Sequence, residues 1–256
     1  MNLGFIGTGK ITSSVVTGIC KSKISFKKII LSPRNRNIAK KLKRKFRKVS
    51  IAKNNQEIVN SCNWVFLAVT PPVGQKIIKS LKFKSSQTIV SFISTMTLSQ
   101  LKKAIKVKAT IVRTVPLPPI SLRKGPVPLF PTNKKVKIFF DKLGTTVEIS
   151  NEELLNNFWS TSGMMAPFYE LLSTMSNWLV KRGVKRDKAQ KYVTSLFVAL
   201  SEDAVVNSNK DLKYLVKESQ TPRGLNEQAV KELRKPGLYR STEKTLNNIL
   251  KRLNKV

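Results

Sequence analysis

The amino-acid sequence predicts an α/β fold with a doubly wound parallel sheet over residues 1–150, followed by an all-helical domain over residues 151–256. Three observations carry this. Short runs rich in Val, Ile and Phe, without polar alternation, take turns with helix-like stretches through the first 140 residues, the pattern of strands covered on both faces. A glycine-rich turn follows the first of these runs at once. Strand signals then stop at about Asn151, and helical stretches with wide apolar faces replace them.

Strands are expected at Asn2–Ile6, Lys28–Ser32, Trp64–Val69, Thr88–Ile93 and Thr110–Thr114. Helices are expected between them, near Lys10–Lys21, Asn37–Phe46, Asn55–Asn60, Pro72–Leu81 and Ser99–Lys106. The order strand, helix, strand implies right-handed crossovers. A further strand is placed at Val136–Phe140 or at Thr145–Glu148. In the tail, a long helical region is interrupted at Ser162–Gly163 and stopped at Gly183, and a second helix starts near Asp187. A short helical piece at Asp211–Lys217 precedes "TPRGLNEQAVKELRKPG", and a last helix runs from about Ser241 to Leu253. The apolar faces of these helices predict burial against a partner subunit as well as within the chain.

The formal net charge is +34, from 48 Lys and Arg against 14 Asp and Glu. Such a charge attracts polyanions, but the cations are spread along nearly the whole chain, as a general compositional bias would spread them, and charge counts bear on association rather than fold. Histidine is absent, which removes the commonest metal ligand and the commonest proton carrier at neutral pH. Cys20 and Cys62 lie far apart in apolar patterns and read as buried free thiols, with no disulfide framework and no metal site. No secretory leader and no run of roughly 20 apolar residues is apparent, so a soluble, cytoplasmic protein is expected.

The opening "GFIGTGKIT" places Gly7, Gly9 and Thr12 in the three slots of G-x-G-x-x-G. Gly7 permits the sharp turn, Gly9 lets a pyrophosphate approach the backbone, and Thr12 is small enough for close helix packing. The first-turn amides of the following helix then face the phosphates. A strand directly before the motif and a helix directly after it supply the context of a Rossmann-type dinucleotide site. At the end of the second strand an acidic residue would meet a ribose 2′-hydroxyl, whereas an arginine accommodates a 2′-phosphate. The chain has Ser32, Arg34, Asn35 and Arg36 there and no carboxylate. NADP(H) is therefore expected in preference to NAD(H). A duplex reader would need a recognition helix or a stacking surface, and with aromatics at 7% the loop is assigned to a cofactor and no nucleic-acid partner is expected.

These residues resemble the pyrroline-5-carboxylate reductase family over most of the chain. "GFIGTGKIT" is close to that family's GFIGxGxM, "SPRNR" to its Ser-Asn-Arg, "LAVTPP" to its LAVKP, "IVRTVPLPP" to its VRVMPNTPA and "KLGTTVEIS" to its FxxxGxxVxV. The tail order "STSG", "GV", "TPRG" is similar to the family's dimerisation domain. The resemblance implies hydride transfer from NAD(P)H to the C=N carbon of a cyclic imino acid, giving proline, in a homodimer or higher oligomer. The cofactor carries the chemistry and the protein positions it. By resemblance the cofactor would contact Gly7, Thr8, Gly9, Lys10, Ile11, Ser32, Arg34, Asn55, Ala68, Val69 and Pro71.

The substrate end departs from the family. Its Pro-Gly-Gly-Thr-Thr loop reads Pro222, Arg223, Gly224, Leu225 and Asn226, and its Ser-Gly-Ser-Gly-Pro reads "SGMMAP". Leu117 stands for the asparagine of MPNTP and Thr70 for the lysine of LAVKP. On one account Ser162, Arg223 and Asn226 act at the reacting centre, while Met164, Thr221, Gly224 and Leu225 hold the substrate. Amides at the head of "LNEQAVKEL" would then meet a carboxylate, with Arg223 adding charge. On another, the pocket is rebuilt for a different imine or a 2-oxo or hydroxy acid, with Met164 and Met165 making it more apolar. Ser162 and Thr161 as helix caps, Arg223 as a solvated loop residue and Glu227 as a partner of the helix dipole remain the plain readings. A non-catalytic NADP-binding homologue and a nucleic-acid binder are the further alternatives.

Overall fold

The structure, a computed structural model, describes residues 1–255. The chain divides into two compact units, Met1–Trp159 and Ser160–Lys255. No helix among the described residues is long and apolar enough to cross a membrane.

The first unit is built on an eight-stranded sheet in the order β3-β2-β1-β4-β5-β6-β7-β8. The strands are β1 (Asn2–Ile6), β2 (Lys28–Leu31), β3 (Val49–Ile51), β4 (Trp64–Leu67), β5 (Thr88–Ser91), β6 (Thr110–Thr114), β7 (Pro126–Phe130) and β8 (Thr145–Glu148). Every pair is parallel except β6 with β7. Helices α1 (Lys10–Lys21), α2 (Arg36–Lys45), α3 (Asn55–Ser61), α4 (Pro71–Lys79), α5 (Leu98–Ile105) and α6 (Lys134–Phe140) connect them, with a 3₁₀ turn at Pro118–Leu122.

Alternate strand residues feed two cores. Leu3, Phe5, Trp64, Phe66, Val90 and Val112 join Val15, Val16 and Ile19 of α1 on one face. Ile6, Val65, Leu67, Ile89 and Ile111 join Ile58 of α3, Ile78 of α4 and Leu101 of α5 on the other. The Phe5 and Phe66 rings stack with centroids 4.4 Å apart. Burial on both faces explains why β1, β4 and β5 read as unbroken apolar runs.

Three features differ from the sequence expectation. β3 escapes notice because only Val49–Ile51 is extended, directly after the cationic stretch. Residues 136–140 form part of α6 rather than a strand: Asn133 Oδ1 accepts the Val136 amide at 3.0 Å, and Val136, Phe139 and Phe140 are buried at helical spacing. The strand is Thr145–Glu148. β7 is hidden by Pro126 and Pro128, which ordinarily argue against a sheet interior. Gly125 and Leu129 accept amides from the β8 side, so the two prolines turn their missing N–H groups towards β6, whose pairing reaches only Leu129 and Phe130.

The second unit is helical: α7 (Leu154–Thr161) leads into it through a 3₁₀ turn at Ser162–Met164, and α8 (Met165–Val180), α9 (Arg186–Val206), α10 (Lys213–Glu218), α11 (Leu225–Arg234) and α12 (Leu238–Asn254) follow. Phe168 and Phe197 meet edge to face at 5.7 Å between α8 and α9. Gly163 lies so close to Ile249 of α12 that a methyl group there would collide with its side chain. Trp178, Tyr192, Val205 and Val206 nevertheless stay exposed, the last at 80%.

Gly18 packs directly against main chain, since a Cβ there would overlap the Ile120 carbonyl oxygen, a backbone atom that cannot swing aside. Gly18→Ala is expected to destabilise the protein by about 1–3 kcal/mol, read as a fall of roughly 2–10 °C in Tm. Differential scanning calorimetry checks this.

Candidate functional site: a dinucleotide cavity at the carboxyl edge of the sheet

Site geometry begins where β1 ends beside β4. Gly7 has φ +97, in the left-handed region that favours glycine, and a Cβ there would overlap the Ala68 carbonyl. Gly9 is different. Its φ is −100, and a Cβ on it would meet nothing within 4 Å. Nothing in the fold itself demands glycine at position 9; the empty space above it is what a bound group needs for close approach.

Two side chains pin the loop between these glycines. Thr8 Oγ1 donates to the Ser32 carbonyl at 2.8 Å, tying the loop to the end of β2. Thr12 Oγ1 donates to the Gly7 carbonyl at 2.6 Å. Thr12 is fully buried, so it also provides the close packing expected of the motif's third slot.

A cavity of about 610 Å³ opens over this loop and is lined by Gly7, Thr8, Gly9, Ala68, Val69 and Thr70 on one side and by Arg34, Asn35, Arg36 and Asn37 on the other. A second cavity of about 480 Å³ adjoins it through Arg34 and Arg36 and includes Ser32, Lys53 and Asn55. Asn55 Oδ1 is buried without a hydrogen-bond partner. A buried orphan of this kind costs about 1–3 kcal/mol unless something satisfies it, and a ribose hydroxyl is a suitable donor.

Electrostatics match an anion. Gly9 begins α1 without a side-chain cap, leaving orphan amide donors at its positive end. α4 also points its amino end here, but it opens on Pro71 and Pro72, which have no N–H. The Val73 and Gly74 amides bond to the Thr70 carbonyl, so α4 offers its dipole and no free donor. The first turns of α1, α2 and α4 contain no acidic residue. Glu57 is the single Asp or Glu in residues 1–140, and its carboxylate is engaged by the Lys53 amide at 2.7 Å. The cations are spread along the chain, but the acids are segregated away from its first 140 residues.

Of the residues expected from sequence, Gly7, Thr8, Gly9, Arg34, Ala68 and Val69 line the first cavity, and Ser32, Arg34 and Asn55 line the second. Lys10 and Ile11, in the first turn of α1, line neither. Pro71 begins α4, and its side chain falls outside what the structure describes. The sequence alone names Arg36 in the stretch that would meet a 2′-phosphate and Thr70 as a departure from the family, without placing either among the cofactor contacts, and it does not single out Lys53. Lys53 could be placed only by seeing β3, which directs the chain back to the site.

The expected substrate residues all lie in the second unit. Ser162 and Met164 occupy the 3₁₀ turn after α7. Arg223 is exposed with φ +64, and its amide donates to Glu227 Oε2 at 2.7 Å. Glu227 also receives Lys231 Nζ at 2.8 Å. Those two hydrogen bonds, the lysine's first, hold the Glu227 carboxyl below the ordinary carboxylate range. The Gly224 amide donates to the Thr221 carbonyl at 2.8 Å, and a Cβ on Gly224 would overlap the Thr221 hydroxyl. Asn226 Nδ2 donates to the Ser219 carbonyl at 2.8 Å, so this amide holds the loop. Leu225 is 85% exposed. Thr221 and Glu227 help to line a cavity of about 500 Å³ within the same unit. The cysteines are not nucleophiles in waiting. Burial pushes the Cys62 thiol up to about 12 and that of Cys20 to about 11, far from thiolate at neutral pH.

The chain is similar to proteins of one family along most of its length. Residues 2–98 match the family model described as NADP oxidoreductase, coenzyme F420-dependent, and residues 152–256 match that of pyrroline-5-carboxylate reductase dimerisation. The pyrroline-5-carboxylate reductase of Pseudomonas aeruginosa is 23% identical over 256 residues, covering 96% of this chain and 93% of that protein. Pyrroline-5-carboxylate reductase 3 of Danio rerio is 29% identical over 49% of this chain, and the match spans only 44% of its own length. The crystal structure of Plasmodium falciparum pyrroline carboxylate reductase with NADP bound superposes with a TM-score of 0.83 at 20% identity, covering 99% of this chain and 97% of that one.

The two glycines separate folding from binding. Gly9→Ala is expected to leave Tm unchanged and to weaken NADPH binding by about tenfold to a hundredfold, the equivalent of the roughly 1–3 kcal/mol an extra methyl costs in a packed contact. Gly7→Ala is expected to lower Tm, because its backbone is left-handed and its neighbour is main chain. Calorimetry with a fluorescence titration of NADPH distinguishes the two.

Proposed function

We propose that this chain, which belongs to the pyrroline-5-carboxylate reductase family, is an NADPH-dependent reductase that delivers hydride to the C=N carbon of a cyclic imino acid and so forms proline. Members of this family are oxidoreductases acting on C=N groups. The observation that carries the reading is the cavity over Gly9, where two helix amino ends and two arginines converge with no carboxylate among its lining residues.

Bound there, a reduced nicotinamide supplies the hydride. The chain's own residues do the rest. The amides at the head of α1 would hold the diphosphate, with the dipole of α4 adding positive potential, and Gly9 would allow it to lie against the backbone. Arg34, Arg36 and Lys53 surround the position of a ribose 2′-phosphate, and Asn55 Oδ1 accepts a ribose hydroxyl. A protonated imine is already electrophilic, so a chain without histidine needs no strong general acid to activate it.

In the helical unit, the loop at Thr221–Asn226 is the proposed seat of the substrate carboxylate, with Arg223 supplying charge and the amides of Leu225 and Asn226 opening α11. Ser162 and Met164 are the proposed contacts from the 3₁₀ turn. The exposed apolar residues of α8 and α9 are proposed to be covered by a second copy, in keeping with the dimerisation model matched by residues 152–256.

One observation favours a second reading for the substrate. Leu225 and Asn226 replace the two threonines of the family's loop, and Asn226 already spends its donor on Ser219. A cyclic imine other than pyrroline-5-carboxylate would suit a loop so altered.

NADPH oxidation measured with pyrroline-5-carboxylate beside a panel of other cyclic imines tests the reading. The expected result is turnover with an imino acid; no turnover with any imine would overturn it. NADPH is expected to bind about tenfold to a hundredfold more tightly than NADH, the worth of charge-assisted hydrogen bonds to a 2′-phosphate. Equal dissociation constants would remove the proposed role of Arg34 and Arg36.

A further inference from the structure

Arg113, on β6, is the one charged side chain among the described buried residues, at 6% exposure. Its Nη1 meets Glu152 Oε1 at 2.5 Å, and its Nη2 donates to the Ser94 carbonyl at 2.6 Å. The same Glu152 oxygen accepts the Leu98 amide at 2.6 Å. A buried ion pair of this kind is weak as a source of stability, since an apolar pair of similar volume serves as well or better. Its geometry is more telling than its energy. Ser94 lies just past β5, Leu98 begins α5, and Glu152 lies just past β8. One guanidinium and one carboxylate therefore tie both ends of the β5–α5 connection to the segment that follows β8, a strand running against β1–β6. The β5–α5 connection leaves the sheet at the carboxyl edge of β1–β6, the edge that holds the cavity.

The tied segment reaches that cavity through contacts. Ile93 and Met96, on either side of Ser94, pack towards Gly74 of α4. A Cβ built on Gly74 would lie 2.9 Å from Ile93 Cδ1, 3.4 Å from Val69 Cγ2 and 3.6 Å from Met96 Sδ. Val69 itself lines the cavity. Side chains that converge this closely move together or not at all.

We propose that Arg113 and Glu152 form a positioning clasp: by holding residues 93–98 against Gly74 and Val69, they fix the wall of the cavity over which the reacting end of the dinucleotide lies. The proposal rests on the reductase reading above. Neither residue touches the reacting atoms; both act through the segment they hold. The diphosphate is gripped elsewhere, at Gly7–Gly9, so loosening the clasp impairs placement of the nicotinamide while leaving overall affinity in place. A misplacement of about 1 Å costs up to about a hundredfold in rate.

The experiment compares Glu152→Gln and Arg113→Lys in the full chain with Phe140→Leu, a core change at a residue that lines neither cavity and that reports destabilisation alone. Lysine cannot bridge Glu152 and Ser94 at once, having no planar fork. Three quantities are read: the dissociation constant for NADPH, kcat with its primary isotope effect for NADPH deuterated at the transferred position, and the fluorescence lifetime of bound NADPH. In both clasp variants kcat is expected to fall by about tenfold to a hundredfold, with a raised isotope effect, an altered lifetime and a dissociation constant within about twofold of the wild type. Phe140→Leu is expected to change none of these. The proposal is overturned if the clasp variants match Phe140→Leu at equal loss of Tm, or if NADPH affinity falls as far as kcat. Should the wild type turn over no imine, the reductase reading fails by itself, and an unchanged lifetime in Glu152→Gln then overturns the clasp separately.

Discussion

Where β1 gives way to α1, the chain passes so close to the exit of β4 that a single methyl group would not fit between them. Parallel pairing sets this approach, with Ile6 opposite Leu67 and the Ala68 amide bonded to the Ile6 carbonyl at 2.8 Å. The turn has to be left-handed to clear the Ala68 carbonyl, which is why Gly7 stands there. Once that turn is made, the rest of the site has little freedom. α1 must start beside β4, and α4 starts three residues beyond Ala68, so both amino ends open onto one space. Thr8 and Thr12 then lock the loop to β2 and to Gly7 by hydroxyl bonds. A backbone contact between two central strands thus decides where an anion can be held.

Convergence of helix ends carries an electrostatic cost when nothing anionic lies between them. α2 and α3 meet it in the usual way, with Asn35 and Asn54 accepting first-turn amides at 3.2 and 2.9 Å. α1 does not, α4 avoids it by opening on two prolines that have no N–H to satisfy, and no acid stands in the first turn of either to offset the dipole. Arginines and a lysine add further positive charge instead of relieving it. An array that repels itself is relieved by an anion, which gives the near-absence of acids from the first 140 residues a local electrostatic sense that a uniform excess of lysine does not.

Sequence alone was informative wherever a single physical requirement dominates a stretch. β1, β4, β5 and β6 are buried on both faces and cannot hide; the glycine turn cannot be built from other residues. It was uninformative where two requirements compete. β3 is three residues long and follows a cationic helix end, so its apolar signal is too short to register. β7 holds two prolines that are harmless only because of the direction in which they face, a fact of pairing rather than of composition. Residues 136–140 suit a strand by content, and the Asn133 cap decides for a helix. The site followed the same division. Gly7, Gly9 and Arg34 are legible from the motif, whereas Arg36 and Lys53 reach the cavity through the register of α2 and the position of β3. The Arg113–Glu152 pair was invisible because its partners are 39 residues apart and belong to no local pattern.

The helical unit shows how a loop can keep its shape while its chemistry changes. At φ +64, Arg223 occupies a conformation that costs a residue with a Cβ about 1–2 kcal/mol, and by resemblance glycine fills that place in the family. The backbone demand has therefore survived the loss of the residue that meets it most cheaply. Glu227 answers by accepting the strained residue's amide, and Lys231 holds Glu227 ionised. Asn226 binds the Ser219 carbonyl across the loop, replacing a hydroxyl with a longer reach. The left-handed turn at Arg223 and the Gly224–Thr221 hydrogen bond set the direction of the amides that open α11. What has changed is the side-chain surface around them, from small hydroxyls to a guanidinium and an exposed leucine. A carboxylate seated at this loop, as proposed above, would meet a guanidinium and an exposed leucine beside those amides.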